Sequence, residues 1–429
     1  MSRRAVEDAV RRALARLAPS ARVAGALPDR PPRAGAPRRS GAPRAVSVVA
    51  IGKAAPSMAR GAIERWGDAI ADVLVVTTDG TDVASVARDP RVEILVAAHP
   101  LPDRRSARAA ERCLARARSC ADRDRLLLVL VSGGASSLVC APSDGVSLRD
   151  KRAVTRAMIA SGASIQEINV VRKHLSRIKG GGLARAAFPA RVVTLASSDV
   201  IDGAIADVGS GPSVADASSV ARARRLLARY APRYAALPLA ATGRAPNAAI
   251  GRIVASPEEL ARAVARELRA PRSEGRAPRG EIDSGGARAF RVRVLEPSQG
   301  SVDRLAREYV EAARHLRAGT AIVRAAEPSL AVPDGAGRGG RSTHLAALVG
   351  LELPRGATFL AAATDGVDGA SGTGGAVVDA TFVRRAGEAA VRRALARYDA
   401  GALHLAAKTA LPLRPSGHNL ADIHVLAMT

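Results

Sequence analysis

The chain has 429 residues, 47% hydrophobic and 24% charged, the proportions of a globular protein long enough for two or three domains. No apolar run approaches the length of a membrane span, so a transmembrane assignment is excluded. The net charge of +25 invites a nucleic-acid reading, but aromatics are only 2%, too few for base stacking, and the arginines are scattered over stretches such as "RRALARLA" and "ARARRLLARY" that read as solvated helix faces.

The chain opens on a helical stretch, "AVEDAVRRALARLA", followed by the loose "PDRPPRAGAPRRSGAPR" at 28–44. Five short apolar runs then recur, each ending in a small or polar turn: "VSVVAIGK" (46–53), "DVLVVTTDG" (72–80), "VEILVAAHP" (92–100), "RLLLVLVSGG" (125–134) and "RVVTLASSD" (191–199). Ala/Arg-rich stretches of helical period separate most of them. Continuous apolar strands alternating with helices predict a mainly parallel sheet covered on both faces. Ligands of such sheets collect beyond the carboxyl ends of the strands, where these turns fall. From Leu237 to about Gly300 the pattern loosens, and "APRSEGRAPRGEIDSGGARA" reads as linker. A second organised region follows: a helix near 301–317, the strand "GTAIVRAAE", the loop "DGAGRGGRS", a helix from Thr343, the strand "ATFLAAATDG" and a helix near 380–398. The expected division is 1–240, a connecting segment 241–300, and 301–429, two α/β domains with a cleft where their turn-rich ends meet.

Only five of the basic residues are lysine: Lys53, Lys151, Lys173, Lys179 and Lys408. Where composition is driven so strongly to arginine, a retained ammonium marks a position where a compact charge on a flexible stem is a candidate for function. Lys53 follows a strand and Gly52 and precedes a helix, a place from which it can meet a phosphate. It is not part of a Walker A loop, because GxxxxGK[ST] does not fit. In "LVSGGASSL", Ser132, Gly133 and Gly134 follow the most apolar strand, with Ser136 and Ser137 opening a helix. Glycine lets backbone amides approach an anion, and the hydroxyls add donors. In "SIQEINVVRKHLSRIKGGGLA", Ile168, Val171, Leu175 and Ile178 form an apolar helical stripe, Arg172 and Lys179 lie on another face, and Gly180–Gly182 stop the helix. This basic face clamps a polyanion or is simply solvated. The strand "RVVTLASSD" ends at Ser198 and Asp199, where a carboxylate can accept a hydroxyl proton, hold a metal or cap a turn. Arg341 precedes a helix, where its fork can grip a carboxylate or phosphoryl group. Asp365 and Asp368 sit in a glycine-rich loop of the kind that suits magnesium phosphates. The common theme is phosphoryl transfer, in which positioning and charge stabilisation do most of the catalysis. No GxGxxG with a following acid and no metal-spaced His/Cys cluster is present; three cysteines without a CxxC pair point to a reducing, cytoplasmic setting.

The segments "GKAAPSMA", "AAHPLPDRRS", "VSGGASSLVCAP", "GASIQEINVVRKHLSRIKGGGLA", "SSDV…GSGP", "GRGGRS", "TDGVDG" and "SGHNLADIHV", in this order, resemble the type II glycerate kinases, whose carboxy-terminal part is the MOFRL domain. The resemblance runs from about residue 45 to the end. It implies a Rossmann-like first domain, a smaller MOFRL-type second domain, and phosphorylation of D-glycerate at its 2-hydroxyl with ATP and Mg2+ as cofactors. It also implies that Lys53, Asp199 and Arg341 are catalytic and that Asp199 and Asp365 meet the metal. Ser132, Gly133, Gly134, Ser136, Ser137, Arg172, Lys173, Lys179 and Ser198 would line the substrate and nucleotide pocket. The expected partners are small molecules, with neither nucleic acid nor membrane among them. A hydroxypyruvate reductase, and a non-catalytic relative that binds a nucleotide or sugar acid, stand as alternatives.

Overall fold

The computed structural model describes residues 3–32, 45–243, 248–270, 290–414 and 416–429. Most of the two stretches expected to be loose, 28–44 and 270–289, therefore lies outside the described residues. The chain divides into two compact units, Ala18–Ala255 and the combination of Met1–Leu17 with Ser256–Thr429. Helix α1 (Arg3–Arg16) thus belongs with the C-terminal half, although the expected division assigned it to the first domain.

The unit Ala18–Ala255 contains α2 (Pro19–Ala26), β1 (Val46–Ile51), α3 (Ala55–Trp66), β2 (Ile70–Thr78), β3 (Val92–Ala97), α4 (Arg104–Ser119) and β4 (Leu126–Val131). There follow α5 (Ala135–Leu138), α6 (Leu148–Ala160), α7 (Ile165–His174), α8 (Gly182–Ala186), β5 (Arg191–Ser197), α9 (Val220–Tyr230) and β6 (Ala248–Ala255). The six strands form a parallel sheet in the order β3-β2-β1-β4-β5-β6. Every residue of β1 and β4 is buried, because alternate side chains point to opposite faces and both faces are covered. Val49, Ile51, Leu127 and Val129 pack with Ala110, Cys113 and Leu114 of α4. Val48, Ala50, Leu128 and Leu130 pack on the other side with Val23 of α2 and Met58 of α3.

A third apolar cluster joins α6, α7 and α9 through Met158, Ile168, Val171, Leu175 and Leu227. The expected helical stripe is shorter than its spacing implied. Helix α7 ends at His174, and Ile178 packs with the sheet core instead. Bonds to the distant 141–143 loop end it: Ser176 Oγ and Arg177 N both donate to Ala141 O, and Ser143 N donates to Leu175 O. The glycines at 180–182 come after that break and lead into α8.

The other unit holds α1 with α10 (Pro257–Arg269), β7 (Arg291–Val294), β8 (Ser298–Ser301), α11 (Val302–His315), β9 (Thr320–Ser329) and α12 (Arg341–Leu351). It continues through β10 (Ala357–Ala363), β11 (Gly375–Asp379), α13 (Phe382–Ala386), α14 (Glu388–Ala396), α15 (Ala400–Ala406) and β12 (Asp422–Met428). Its sheet is mixed, in the order β11-β10-β12-β9-β7, with β8 also on β9. Residues 248–270 form β6 and α10 where loose chain was expected. In α10, Ser256 accepts from Glu259 N, Pro257 opens the helix, and Leu260, Val264 and Leu268 are buried.

Candidate active site

In the order β3-β2-β1-β4-β5-β6 the chain turns one way from β1 and the other way from β4, which opens a crevice beyond their carboxyl ends. The loops there are tied together by the backbone. Ser132 N donates to Ile51 O at 2.9 Å, Lys53 N to Gly133 O at 3.0 Å, and Ala54 N to Ser132 Oγ at 3.1 Å. The turn after β1 is thereby locked to the turn after β4, and Lys53 is held over Gly134.

The two glycines report who their neighbours are. A Cβ on Gly133 would collide with the Asp199 carboxylate, its Cγ being 3.0 Å away. A Cβ on Gly134, whose φ is +83°, would lie 3.1 Å from His99 Cδ2 and 3.4 Å from Lys53 Cγ. Lys53, Asp199, Gly133, Gly134 and His99, from four different strand ends, are therefore one cluster. Lys53 and Asp199 are half-buried, and among the described residues no hydrogen-bond acceptor meets the Lys53 ammonium. Burial pushes the Asp199 carboxyl above its ordinary value, an effect the Lys53 charge opposes but does not cancel. His99 is held below its usual value, first by desolvation and then by Lys53. Within "AAHPLPDRRS" nothing marks His99 as functional; its place after β3, a neighbour of the crevice, is the one signal the sequence offers.

The loop serines are occupied by the chain itself. Ser132 Oγ accepts from Ala54 N, Ser137 Oγ donates to Pro100 O at 2.6 Å, and Ser136 Oγ lies 2.9 Å from Ser210 Oγ. Ser198 Oγ turns to Val200, accepting from its N–H at 3.2 Å. Among the described residues the N–H groups of Gly133 and Gly134 meet no acceptor, so the backbone provides the free donors of this loop.

The basic residues of 172–179 divide by role. Lys179 is fully buried and donates to Ser136 O and Ser136 Oγ, each at 2.8 Å, which ties α5 to the segment leading into α8. Arg172 reaches the same Ser136 carbonyl at 3.4 Å. Lys173 turns away from this group. It forms a buried ion pair with Asp216 at 3.2 Å, and Asp216 also accepts from Ser218 and Thr242.

In the C-terminal unit a cavity of about 1040 Å³ is lined by Gly339, Gly340, Arg341, Asp365, Asp368 and Asp422, among others. Arg341 opens α12, and its fork grips a carboxylate of its own chain: Nε donates to Asp422 Oδ2 and Nη2 to Asp422 Oδ1, both at 2.9 Å. Ser342 Oγ donates to Asp422 Oδ2 at 3.1 Å. Asp422 is fully buried, and its carboxyl is pushed up to about 6 by desolvation that outweighs the Arg341 pair. Asp368 caps α12 by accepting from Ser342 N and Thr343 N at 2.9 and 2.8 Å. Asp422 stood unassigned in "SGHNLADIHV", because nothing in that stretch shows that it opens a central strand beside α12. Asp365 is half-buried on the cavity wall and accepts from Val367 N. Asp199 and Asp365 belong to different units, and among the described residues no cluster of three or more His, Cys, Asp or Glu has metal-binding geometry. A half-buried carboxylate on the wall of a glycine-lined cavity nevertheless suits a cation held mainly by phosphate oxygens. No helix among the described residues is long and apolar enough to cross a membrane.

A family model described as a domain of unknown function, DUF4147, matches residues 5–241, and the MOFRL family model matches residues 320–422. An Agrobacterium vitis protein provisionally named hydroxypyruvate reductase is 35% identical over 397 residues, 88% of this chain and 86% of its own. The D-glycerate 2-kinase of Thermotoga maritima is 32% identical over 349 residues, 79% of each chain. The crystal structure of a glycerate kinase from Thermotoga maritima superimposes with a TM-score of 0.84 at 26% identity, covering 100% of this chain and 99% of that one. With both family models in place along a fold of this kind, the chain belongs to the type II glycerate kinase (MOFRL) family and is a kinase.

Proposed function

We propose that the protein transfers the γ-phosphoryl group of ATP to the 2-hydroxyl of D-glycerate, giving 2-phosphoglycerate. The observation that carries this reading is the meeting of Asp199 and Lys53 at Gly133 and Gly134. A carboxylate raised by burial is a better proton acceptor than an ordinary aspartate, so Asp199 takes the hydroxyl proton as the oxygen attacks phosphorus. The unpaired Lys53 ammonium and the free N–H groups of Gly133 and Gly134 stabilise negative charge on the migrating group. Arg341, steadied by Asp422, and Asp365 serve the nucleotide phosphates. Magnesium bound with ATP would supply charge neutralisation, and Asp365 of the C-terminal unit is the carboxylate that would help hold it, while Asp199 keeps its proton-accepting role.

A second reading, reduction of hydroxypyruvate with a nicotinamide cofactor, draws on the strand order, which is that of dinucleotide-binding folds, and on the provisional name of the Agrobacterium relatives. Two observations weigh against it. The β1 turn is Gly52-Lys53-Ala54-Ala55-Pro56 without the glycine fingerprint, and Asp79 after β2 is already bound by Arg105 at 2.9 and 3.0 Å. ADP release with D-glycerate, with the phosphate position read by phosphorus NMR, tests the first reading. NADH oxidation by hydroxypyruvate without ADP release replaces it with the second.

A further inference from the structure

Lys151 lies on α6, outside every role assigned above. Its side chain is buried, 6% exposed, and Nζ meets no oxygen or nitrogen acceptor, its polar neighbour being the Cys140 thiol. A buried ammonium without such an acceptor is disfavoured, so the fold keeps it at a cost unless an anion arrives. The charged or titratable groups that face it are Arg172 of α7 and the Cys140 thiol, and Lys179 feels both Lys151 and Arg172. Arg172 and Lys179 converge on one atom, the carbonyl oxygen of Ser136, at 3.4 and 2.8 Å. The nearby carboxylate Asp216 is already committed to Lys173, and no carboxylate among the described residues pairs with Lys151, Arg172 or Lys179. Three cations thus gather where the chain supplies no counter-charge.

The location matters. Ser136 follows Gly133 by three residues, roughly 5 Å along the loop and first helical turn. Gly133 touches Asp199. Arg172, bound to the Ser136 carbonyl, thus reaches the same loop that Asp199 touches. We propose that Lys151 and Arg172 form the carboxylate-binding corner of the acceptor site, and that Lys151 is a specificity-determining residue for small 2-hydroxy monocarboxylates. The inference rests on the kinase reading for its acceptor but names a separate role.

Binding itself provides the test. Burial and the Arg172 charge hold Lys151 down to about 8. An arriving carboxylate favours the ammonium, so at pH 8 complex formation takes up protons, up to about half a proton per site. Titration calorimetry of D-glycerate in two buffers of different ionisation enthalpy reads this uptake directly. Expected are proton uptake in the wild type, its loss in Lys151→Met, and a rise of at least about tenfold in Kd and KM with kcat changed less than threefold. Lys151→Met replaces a buried ammonium by an apolar chain of similar length, so its melting temperature is expected to hold or rise. Lys151→Arg keeps the charge and is expected to recover part of the affinity. Unchanged Kd and uptake in Lys151→Met, while the wild type phosphorylates D-glycerate, overturn this inference and leave the kinase reading standing. Wild-type binding with proton uptake but no phosphoryl transfer does the reverse. Proton uptake with inorganic phosphate and none with D-glycerate makes the corner a phosphate site and also overturns the proposal.

Discussion

Replacing Gly133 by alanine isolates the position of one carboxylate. The backbone at Gly133 is not left-handed, so alanine meets no conformational barrier there. Its Cβ would stand 3.0 Å from Asp199 Cγ, whereas non-bonded carbons settle at about 3.5–4.0 Å. The carboxylate must retreat by about 0.5–1 Å, and a side-chain end can do so without unfolding the sheet. A displacement of about 1 Å at a reacting group costs about a hundredfold in rate, or about 2.7 kcal/mol of barrier. Gly133→Ala is therefore expected to lower kcat/KM for D-glycerate about a hundredfold in a coupled ADP assay. Its denaturant midpoint should stay within the range of a surface substitution. In an Asp199→Ala background the same change should have little further effect, since the group it displaces is gone. A Gly133→Ala enzyme within threefold of wild type, with unchanged folding, refutes the placement of Asp199 at the reacting hydroxyl.

Lys173→Met breaks a buried pair and leaves Asp216 uncompensated; unfolding free energy should fall by about 3–5 kcal/mol, with KM for the acid within twofold. Asp422→Ala frees the Arg341 fork; since Arg341 is 33% exposed, the loss should lie near the lower end, about 3 kcal/mol by denaturant unfolding, with weaker nucleotide affinity. Three histidines of the C-terminal unit, His404, His418 and His424, are buried neutral and held down to about 4, 4 and 3. Their depressed values mean that the unfolded chain binds more protons below about pH 6.5, so stability should fall by several kcal/mol as pH drops from 6.5 toward 4. Asp422, raised to about 6, works in the opposite sense, adding stability as pH falls from 6 toward 4. Urea titrations at pH 7, 5 and 4 measure the balance, and His404→Gln should flatten it.

The parallel sheet was legible because its strands are apolar on both faces and end in small turns, a pattern that composition alone cannot disguise. Strand order was not, since any of several crossovers satisfies the same alternation; the reversal between β1 and β4 appears only when the strands pair. Helix α10 escaped notice because arginine and proline dominate its surroundings, and burial of Leu260, Val264 and Leu268 against the rest of its unit decides its fate. Strands β11 and β12 were missed for a related reason: each is short, and each is stabilised by neighbours distant in sequence.

For the site, residue types and strand-end positions were enough to nominate Lys53, Asp199, the Ser-Gly-Gly loop and Arg341. What each cation faces was decided by tertiary structure alone. Lys173 and Arg172 are adjacent in sequence, yet one meets Asp216 and the other Ser136, because successive helical positions point about 100° apart. Arg341 looked free beside its glycines, but pairing of β12 with β9 brings Asp422, 81 residues away, against its guanidinium. Local sequence thus determined which groups stand at the strand ends, and long-range pairing determined their partners, since electrostatic interactions depend on spatial distance and not on separation along the chain.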